Sequence, residues 1–483
     1  MRRYHPSLHR SRLVLALCAL MAGASLLRAQ GPSSSPPDQY VGTWKGVLEM
    51  PGVLMRLALD VSRSGDALGG SLTSLDQGNT RIPVTLVVRN DTLIADMPSI
   101  VASFVVAGAE GDSLRGSFRQ NGAMGRITFG HLSHTIVPLV ARRPQEPVGP
   151  LPYNSVDVSF PSVSNVVLAG TLTTPTGPGP WPAVVLVSGS GPHDRDERMV
   201  GHRPFLVLSD YLTRHGIAVL RYDDRGTARS TGSFAASTTA DFADDAEFAV
   251  RFLTGRPEVD RARIGVIGHS EGGAIAPIVA TRSKDVAFIV LMAGPGVTGD
   301  SLLVLQNHAQ LRVSGVPEEE AQPLARVTSR LLHAVSGARD SVDARTRVLE
   351  IEEQYVSEQQ ADRQESLRST LRTRNAQLLT PWMRYFLAFD PRPALSQVHV
   401  PVLALNGTLD GQVVCKENLS AIAAALQVAG NPDVETVELP GLNHLFQTAS
   451  TGAISEYSVI EETIAPVALE RLGDWLTRHT RRR

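Results

Sequence analysis

Apolar and polar positions follow two different rules along this chain. From Tyr40 to about Arg142 they alternate in short runs, as in "VLMRLALDVS" (Val53–Ser62) and "IPVTLVV" (Ile82–Val88). Turn signals such as "SGDALGG", "QGNT", "RNDT" and "EGDS" separate the runs about every ten residues. This pattern predicts a small all-β domain over 40–145, an antiparallel barrel or sandwich. From 153 to 480 the runs are strand-like and most of them apolar throughout. They cover Ser155–Phe160, Val166–Leu172, Ala183–Gly189, Gly216–Asp223, Arg263–Ser270, Ala287–Gly294, Pro401–Gly407 and Val434–Gly441. Helical periodicity, as in Phe205–His215 and Asp241–Thr254, lies between most of them. Buried strands alternating with amphipathic helices predict an α/β fold, a doubly wound and mostly parallel sheet.

One interval breaks that rhythm. Residues 300–388 are polar and helical, with text such as "PEEEAQPLARVTSRLLHAV". They read as a helical cap inserted over the C-terminal edge of the sheet. Its aromatic stretch "TPWMRYFLAFD" (Thr380–Asp390) is the part expected to line a pocket. Residues 30–39, with "GPSSSPPD", and Arg143–Pro152 read as linkers.

The N-terminus has its own pattern. Arg2, Arg3, Arg10 and Arg12 precede the apolar run Leu13–Leu27, and small residues follow. That is the layout of a secretory signal over 1–29, with a cut after Ala29 or Ala24. At 15 residues the run is short for a membrane span, and no span is expected after cleavage. Removing 1–29 takes five of the 46 basic residues and no acid, leaving 41 against 48 acidic, a net of −7. Such a balance argues against a nucleic-acid partner. Cys18 lies in the signal and Leu17 before it is too large for a lipoprotein cut, so Cys415 is left alone and no internal disulfide forms. The expected location is exported, periplasmic or secreted. Oligomeric state is not legible.

Candidate chemistry centres on "GHSEGG" (Gly268–Gly273). A strand-like run precedes Ser270 and a small-residue helix, "GGAIAPIVATR", follows. This is the strand–turn–helix setting that G-x-S-x-G requires of a nucleophile. A serine hydroxyl needs a base, and the base needs an orienting acid. Downstream, Asp410 follows the strand "PVLAL" and His444 follows the last strand-like run. Strand C-termini share one edge of a parallel sheet, where ligands bind. His269 should point away on the turn; His193 and His202 precede the serine, and His399 starts a strand. Asp300 and Asp390 are the rival acids. An oxyanion hole needs two backbone N–H groups. Glu271 supplies one, and the loop "VSGSGPHDRD" the other, from Ser190 or else Gly191. The Glu271 carboxylate could hold a substrate amino group; pairing with an arginine or with the helix N-terminus is the plainer expectation. In "RYDDRGTARSTG", Arg225 is expected to bridge loops near the site.

With these residues in view, the chain resembles the α/β-hydrolase superfamily. More narrowly it is similar to exported bacterial serine esterases related to the prolyl-oligopeptidase and dienelactone-hydrolase branches. "LVSGSGPHDRDE", "RYDDRGTARSTG", "VIGHSEGG", "TPWMRYFLAFDP", "LALNGTLDGQV" and "LPGLNHLFQ" carry the likeness, as does "GxWxG" at Gly42–Gly46 in the β domain. The resemblance implies hydrolysis of carboxylic esters of small acyl groups through an acyl-enzyme on Ser270, without metal or organic cofactor. Dienelactone hydrolases carry Cys as nucleophile, so their substrate does not transfer. An aminopeptidase-like serine peptidase is the alternative on the same fold, and a non-catalytic binding protein is a further one.

Overall fold

The computed structural model describes residues 37–131 apart from short turns, and 143–481 apart from 314–317. The signal-like segment 1–29 and most of the first linker lie outside the described residues. The chain divides into two compact units.

The first unit is built on eight strands: β1 (Gly42–Met50), β2 (Val53–Ser64), β3 (Ala67–Ser74), β4 (Thr80–Arg89), β5 (Thr92–Met97), β6 (Ala102–Ala109), β7 (Ser113–Gln120) and β8 (Ala123–His131). Each pairs antiparallel with the next, and β8 closes onto β1, giving a barrel rather than a sandwich. Period-two alternation turns Leu57, Leu59 and Val61 inward with Leu93, Ala95, Phe104, Val106 and Phe129. The "GxWxG" text has a packing reason. Trp44 is buried and its indole N–H donates to the Tyr40 carbonyl at 2.8 Å. A Cβ on Gly46 would collide with the Thr128 carbonyl of β8.

In the second unit the strands are β9 (Asn154–Pro161), β10 (Val167–Thr174), β11 (Trp181–Val187), β12 (Ala218–Tyr222), β13 (Val259–His269), β14 (Val286–Met292), β15 (Val402–Gly407) and β16 (Val434–Leu439). Their spatial order is β16-β15-β14-β13-β11-β12-β10-β9. Only β10 opposes the rest: it is antiparallel to both β9 and β12. The fold is an α/β hydrolase, as the sequence predicts.

Continuous apolar runs arise because both faces are covered. On β11, Ala183, Val185 and Val187 face one core while Val184 and Leu186 face the other. The first core is closed by α2 (Thr239–Thr254), α3 (Glu271–Arg282) and α10 (Cys415–Val428), and the second by α1 (Pro204–Arg214) and α11 (Pro466–His479). Between β14 and β15 the chain runs through α4 (Gly299–Val313), α5 (Glu318–Ser336), α6 (Ser341–Ser357), α7 (Ala361–Asn375) and α8 (Pro381–Ala388), then the short α9 (Arg392–Leu395).

The segment read as a second linker is anchored. Arg143 donates to the carbonyls of Gly201, Ser458 and Ile460, and Gln145 accepts from the Thr463 and Ile464 N–H groups. Its Pro/Gly-rich composition hid these long-range bonds. No described helix is long and apolar enough to cross a membrane.

Candidate active site

Ser270 stands between β13 and α3 with φ 53° and ψ −118°, a backbone state that costs a non-glycine residue about 1–3 kcal/mol. Its neighbours make the turn possible. A Cβ on Gly268 would strike the Gly272 carbonyl, and one on Gly272 would strike the Val187 carbonyl of β11. Helix and strand therefore approach more closely than any side chain permits. The serine side chain remains partly exposed.

Two later loops, zipped together, carry Asp410 and His444. The Leu409 N–H donates to the Leu442 carbonyl at 2.9 Å, and the Gly441 N–H to Thr408 Oγ1 at 2.9 Å. Asn443 folds the second loop, its Oδ1 accepting from the Leu445 and Gln447 N–H groups at 3.0 Å. Within this frame His444 Nδ1 donates to Asp410 Oδ2 at 2.8 Å, while Asp410 Oδ1 accepts from the Gln412 and Val413 N–H groups at 2.8 Å. Both side chains are buried. An ionised carboxylate only accepts, so the proton sits on Nδ1 and the Nε2 lone pair of the neutral ring is left to take a proton. Among the described residues neither Ser270 Oγ nor His444 Nε2 has a hydrogen-bond partner.

The rivals are engaged elsewhere. Asp300 accepts from Thr298 and Ser336, and Asp390 pairs with Arg392. His202 is buried against Tyr457, Thr463 and Gln447, and burial with the nearby Arg143 charge lowers its pKa to about 4. His193 lies on the Ser190 carbonyl.

Glu271 begins α3, so its N–H has no intrahelical acceptor. Ser190, on the loop after β11, also has no backbone N–H acceptor among the described residues. Glu271 is 2 % exposed and stands in the first turn of α3, one of the two placements expected from sequence; among the described residues no arginine pairs with it. Instead Thr239 Oγ1 donates to it at 2.6 Å, and Trp382 Nε1 of α8 at 3.0 and 3.2 Å. Burial raises its pKa, with Thr239, Trp382 and Ser190 opposing that rise. Trp382 stacks on Phe386, with ring centroids 5.3 Å apart. Arg225 binds Asp245 and the Asp241 carbonyl on α2, tying the loop after β12 to that helix.

A residue that no sequence motif marks lies behind this arrangement. Glu197, with φ 51° and 0 % exposure, places Oε1 2.7 Å from the Gly189 N–H and 2.9 Å from His269 Nδ1. His269 Nε2 donates to the His444 carbonyl at 3.0 Å. Burial opposes the charged forms. The mutual attraction outweighs it, lowering the Glu197 pKa and raising that of His269. Nothing in the spacing of "HDRDE" separates Glu197 from the three charged residues before it; only the fold does.

A family profile described as serine aminopeptidase, S33 (Hydrolase_4) matches residues 201–448, just over half the chain. The chain belongs to this family. The match runs from before α1 to just past His444, so it takes in the Ser270 turn and both later loops. Among curated relatives, this S33 member is 38 % identical to esterase EstD of Thermotoga maritima over 145 residues, 29 % of this chain and 34 % of that one. It is 24 % identical to acyl-coenzyme A thioesterase 1 of Rattus norvegicus over 310 residues, 63 % of this chain and 61 % of that one. The chain thus spans about a third and about three fifths of these relatives' lengths. A solved esterase structure from Pyrococcus furiosus overlays with TM-score 0.40 at 16 % identity, covering 68 % of this chain and 94 % of that one.

Proposed function

We propose that this S33 protein hydrolyses carboxylic esters of small acyl groups, with Ser270 as nucleophile, His444 as base and Asp410 as the orienting acid. The observation that carries the proposal is the His444 Nδ1–Asp410 Oδ2 bond, which leaves Nε2 unpartnered, together with the strained turn at Ser270. As Ser270 Oγ attacks the ester carbonyl carbon, its proton passes to His444 Nε2. The carbonyl π pair moves onto oxygen, which accepts from the Ser190 and Glu271 N–H groups. Collapse breaks the C–O bond, and the alkoxide leaves with the proton from His444. Water, deprotonated by the same nitrogen, then attacks the acyl carbon; collapse breaks the bond to Ser270 Oγ, which takes back the proton from His444 as the acid leaves. Support also comes from two of the relatives, an esterase and a thioesterase.

Replacing Ser270 by Ala should lower p-nitrophenyl acetate hydrolysis by about 10⁴-fold or more while the fold persists. A fluorophosphonate should label wild type at Ser270. An active Ser270→Ala protein, or no labelling, overturns the proposal.

The family description favours a second reading, aminopeptidase activity. It needs an anionic receptor for the substrate ammonium. The carboxylate next to the nucleophile in the chain, Glu271, already accepts from Thr239 and Trp382. Acyl esters are therefore expected to outpace aminoacyl anilides in a substrate panel, and the reverse order would select the peptidase. On residues 1–29 we also propose export, tested by the N-terminal sequence of protein recovered outside the cytoplasm.

A further inference from the structure

A chain of hydrogen bonds runs beneath Ser270 and touches each part of the site. It starts on the loop after β11, where the Gly189 N–H is turned onto Glu197 Oε1. That commitment fixes the Ser188–Gly189 peptide, the unit next to the one that carries the N–H of Ser190, the candidate oxyanion donor. The same oxygen meets His269 Nδ1, on the residue that precedes the nucleophile. From His269 Nε2 the chain reaches the main-chain carbonyl of His444, whose own ring is held by Asp410. The two imidazole rings lie 4.9 Å apart. Packing enforces the closeness. A Cβ on Gly189 would come within 3.1 Å of Ser270 Cβ and 3.4 Å of Glu197 Oε1.

Chemistry narrows the role. Both nitrogens of His269 face acceptors, a carboxylate and a carbonyl, so the ring is an imidazolium that donates twice. Among the described residues Glu197 Oε2, fully enclosed, has no hydrogen-bond partner, and the small cavity that Glu197 lines is walled mainly by Phe205, Leu208, Phe446 and Ile464. A pair serving only stability would be expected to satisfy that oxygen. Neither residue reaches the reacting atoms. Their partners are the backbones that carry the oxyanion donor and the base.

We infer that Glu197 and His269 are a positioning pair, which sets the oxyanion loop and the His444 main chain at matched distances from Ser270. The inference rests on the ester-hydrolase reading above. It predicts that the pair acts on the chemical step and leaves substrate binding nearly untouched.

The experiment is steady-state kinetics on p-nitrophenyl acetate together with the rate of fluorophosphonate labelling. The proteins are wild type, Glu197→Ala, Glu197→Gln, His269→Phe, the Glu197→Ala/His269→Phe double variant and Ser270→Ala, each checked by circular dichroism. Each disruptive single variant should lower kcat and the labelling rate by about 10- to 100-fold, with KM changed less than about threefold. The double variant should be no worse than the worse single one, because both cut one chain of bonds. Glu197→Gln keeps an oxygen for the Gly189 N–H and should recover part of the loss. Should Glu197→Ala fail to fold, Glu197→Gln and His269→Phe decide alone. Folded variants with unchanged kcat, losses confined to KM, or losses that multiply in the double variant overturn the inference. Activity surviving in Ser270→Ala would instead overturn the ester-hydrolase reading itself, so the two failures are told apart.

Discussion

At the scale of single residues, the Glu197–His269 pair makes a pH prediction with a definite sign. The Glu197 carboxyl is held below its ordinary 4.5, and burial, which would raise it, is outweighed by His269. Its contribution is complete above about pH 4.5 and is lost as pH falls through the lower folded value. His269 is held above its ordinary 6.5, with burial outweighed by Glu197. Its contribution is complete below about pH 6.5 and is lost as pH rises through the higher folded value. The stability difference between wild type and the Glu197→Gln/His269→Phe variant should therefore peak near pH 5.5 and shrink in both directions. Urea midpoints at about pH 4, 5.5 and 8 measure it, and a difference that grows steadily with pH would contradict the assignment. Glu271 makes a separate prediction. Replacing it by Ala leaves Trp382 Nε1 and Thr239 Oγ1 without their acceptor, so a loss of about 1–3 kcal/mol is expected in urea unfolding. A loss within error would mean that water replaces the carboxylate.

At the scale of elements, the crossing of β11, β13 and α3 is set by glycines rather than by apolar fit. Gly272→Ala drives a methyl group into the β11 main chain at Val187. It is expected to cost about 2–3 kcal/mol and to lower labelling of Ser270 even in the folded fraction, which calorimetry and fluorophosphonate labelling read together. Wild-type labelling and stability in that variant would show that the strand and helix can part. This crossing also marks how far the letters carry. The strands were legible because a sheet covered on both faces needs continuous apolar runs. Ser270, Asp410 and His444 stood out because each follows a strand-like run. By contrast, Trp382 meets Glu271 across 111 residues of chain, and no local pattern encodes that contact. Glu197 was hidden for a related reason. An acid that ends in the core looks, in the text, like its solvated neighbours Asp194 and Arg198. Arg143 and Gln145 show the same limit, because linker composition says nothing of main-chain partners more than 300 residues away.

At the scale of the whole molecule, the core inside the barrel shares no residue with the cores on the two faces of the sheet. Barrel closure matters for independence. With β8 paired to β1, every strand has two neighbours and no edge is left to template another chain. The interior is filled by Trp44, Phe104, Phe118, Phe129 and aliphatic residues. A unit of this size, about 90 residues, can bury enough surface to fold by itself. Two cooperative units in one chain do not unfold as one two-state system. Scanning calorimetry of the full chain should therefore resolve two transitions. A fragment of residues 37–142 should unfold cooperatively at a midpoint close to one of them, and residues 143–481 should reproduce the other. If the fragment is unfolded and the full chain melts in a single step, the barrel depends on the rest of the chain for its stability, and closure alone is not enough to sustain its core.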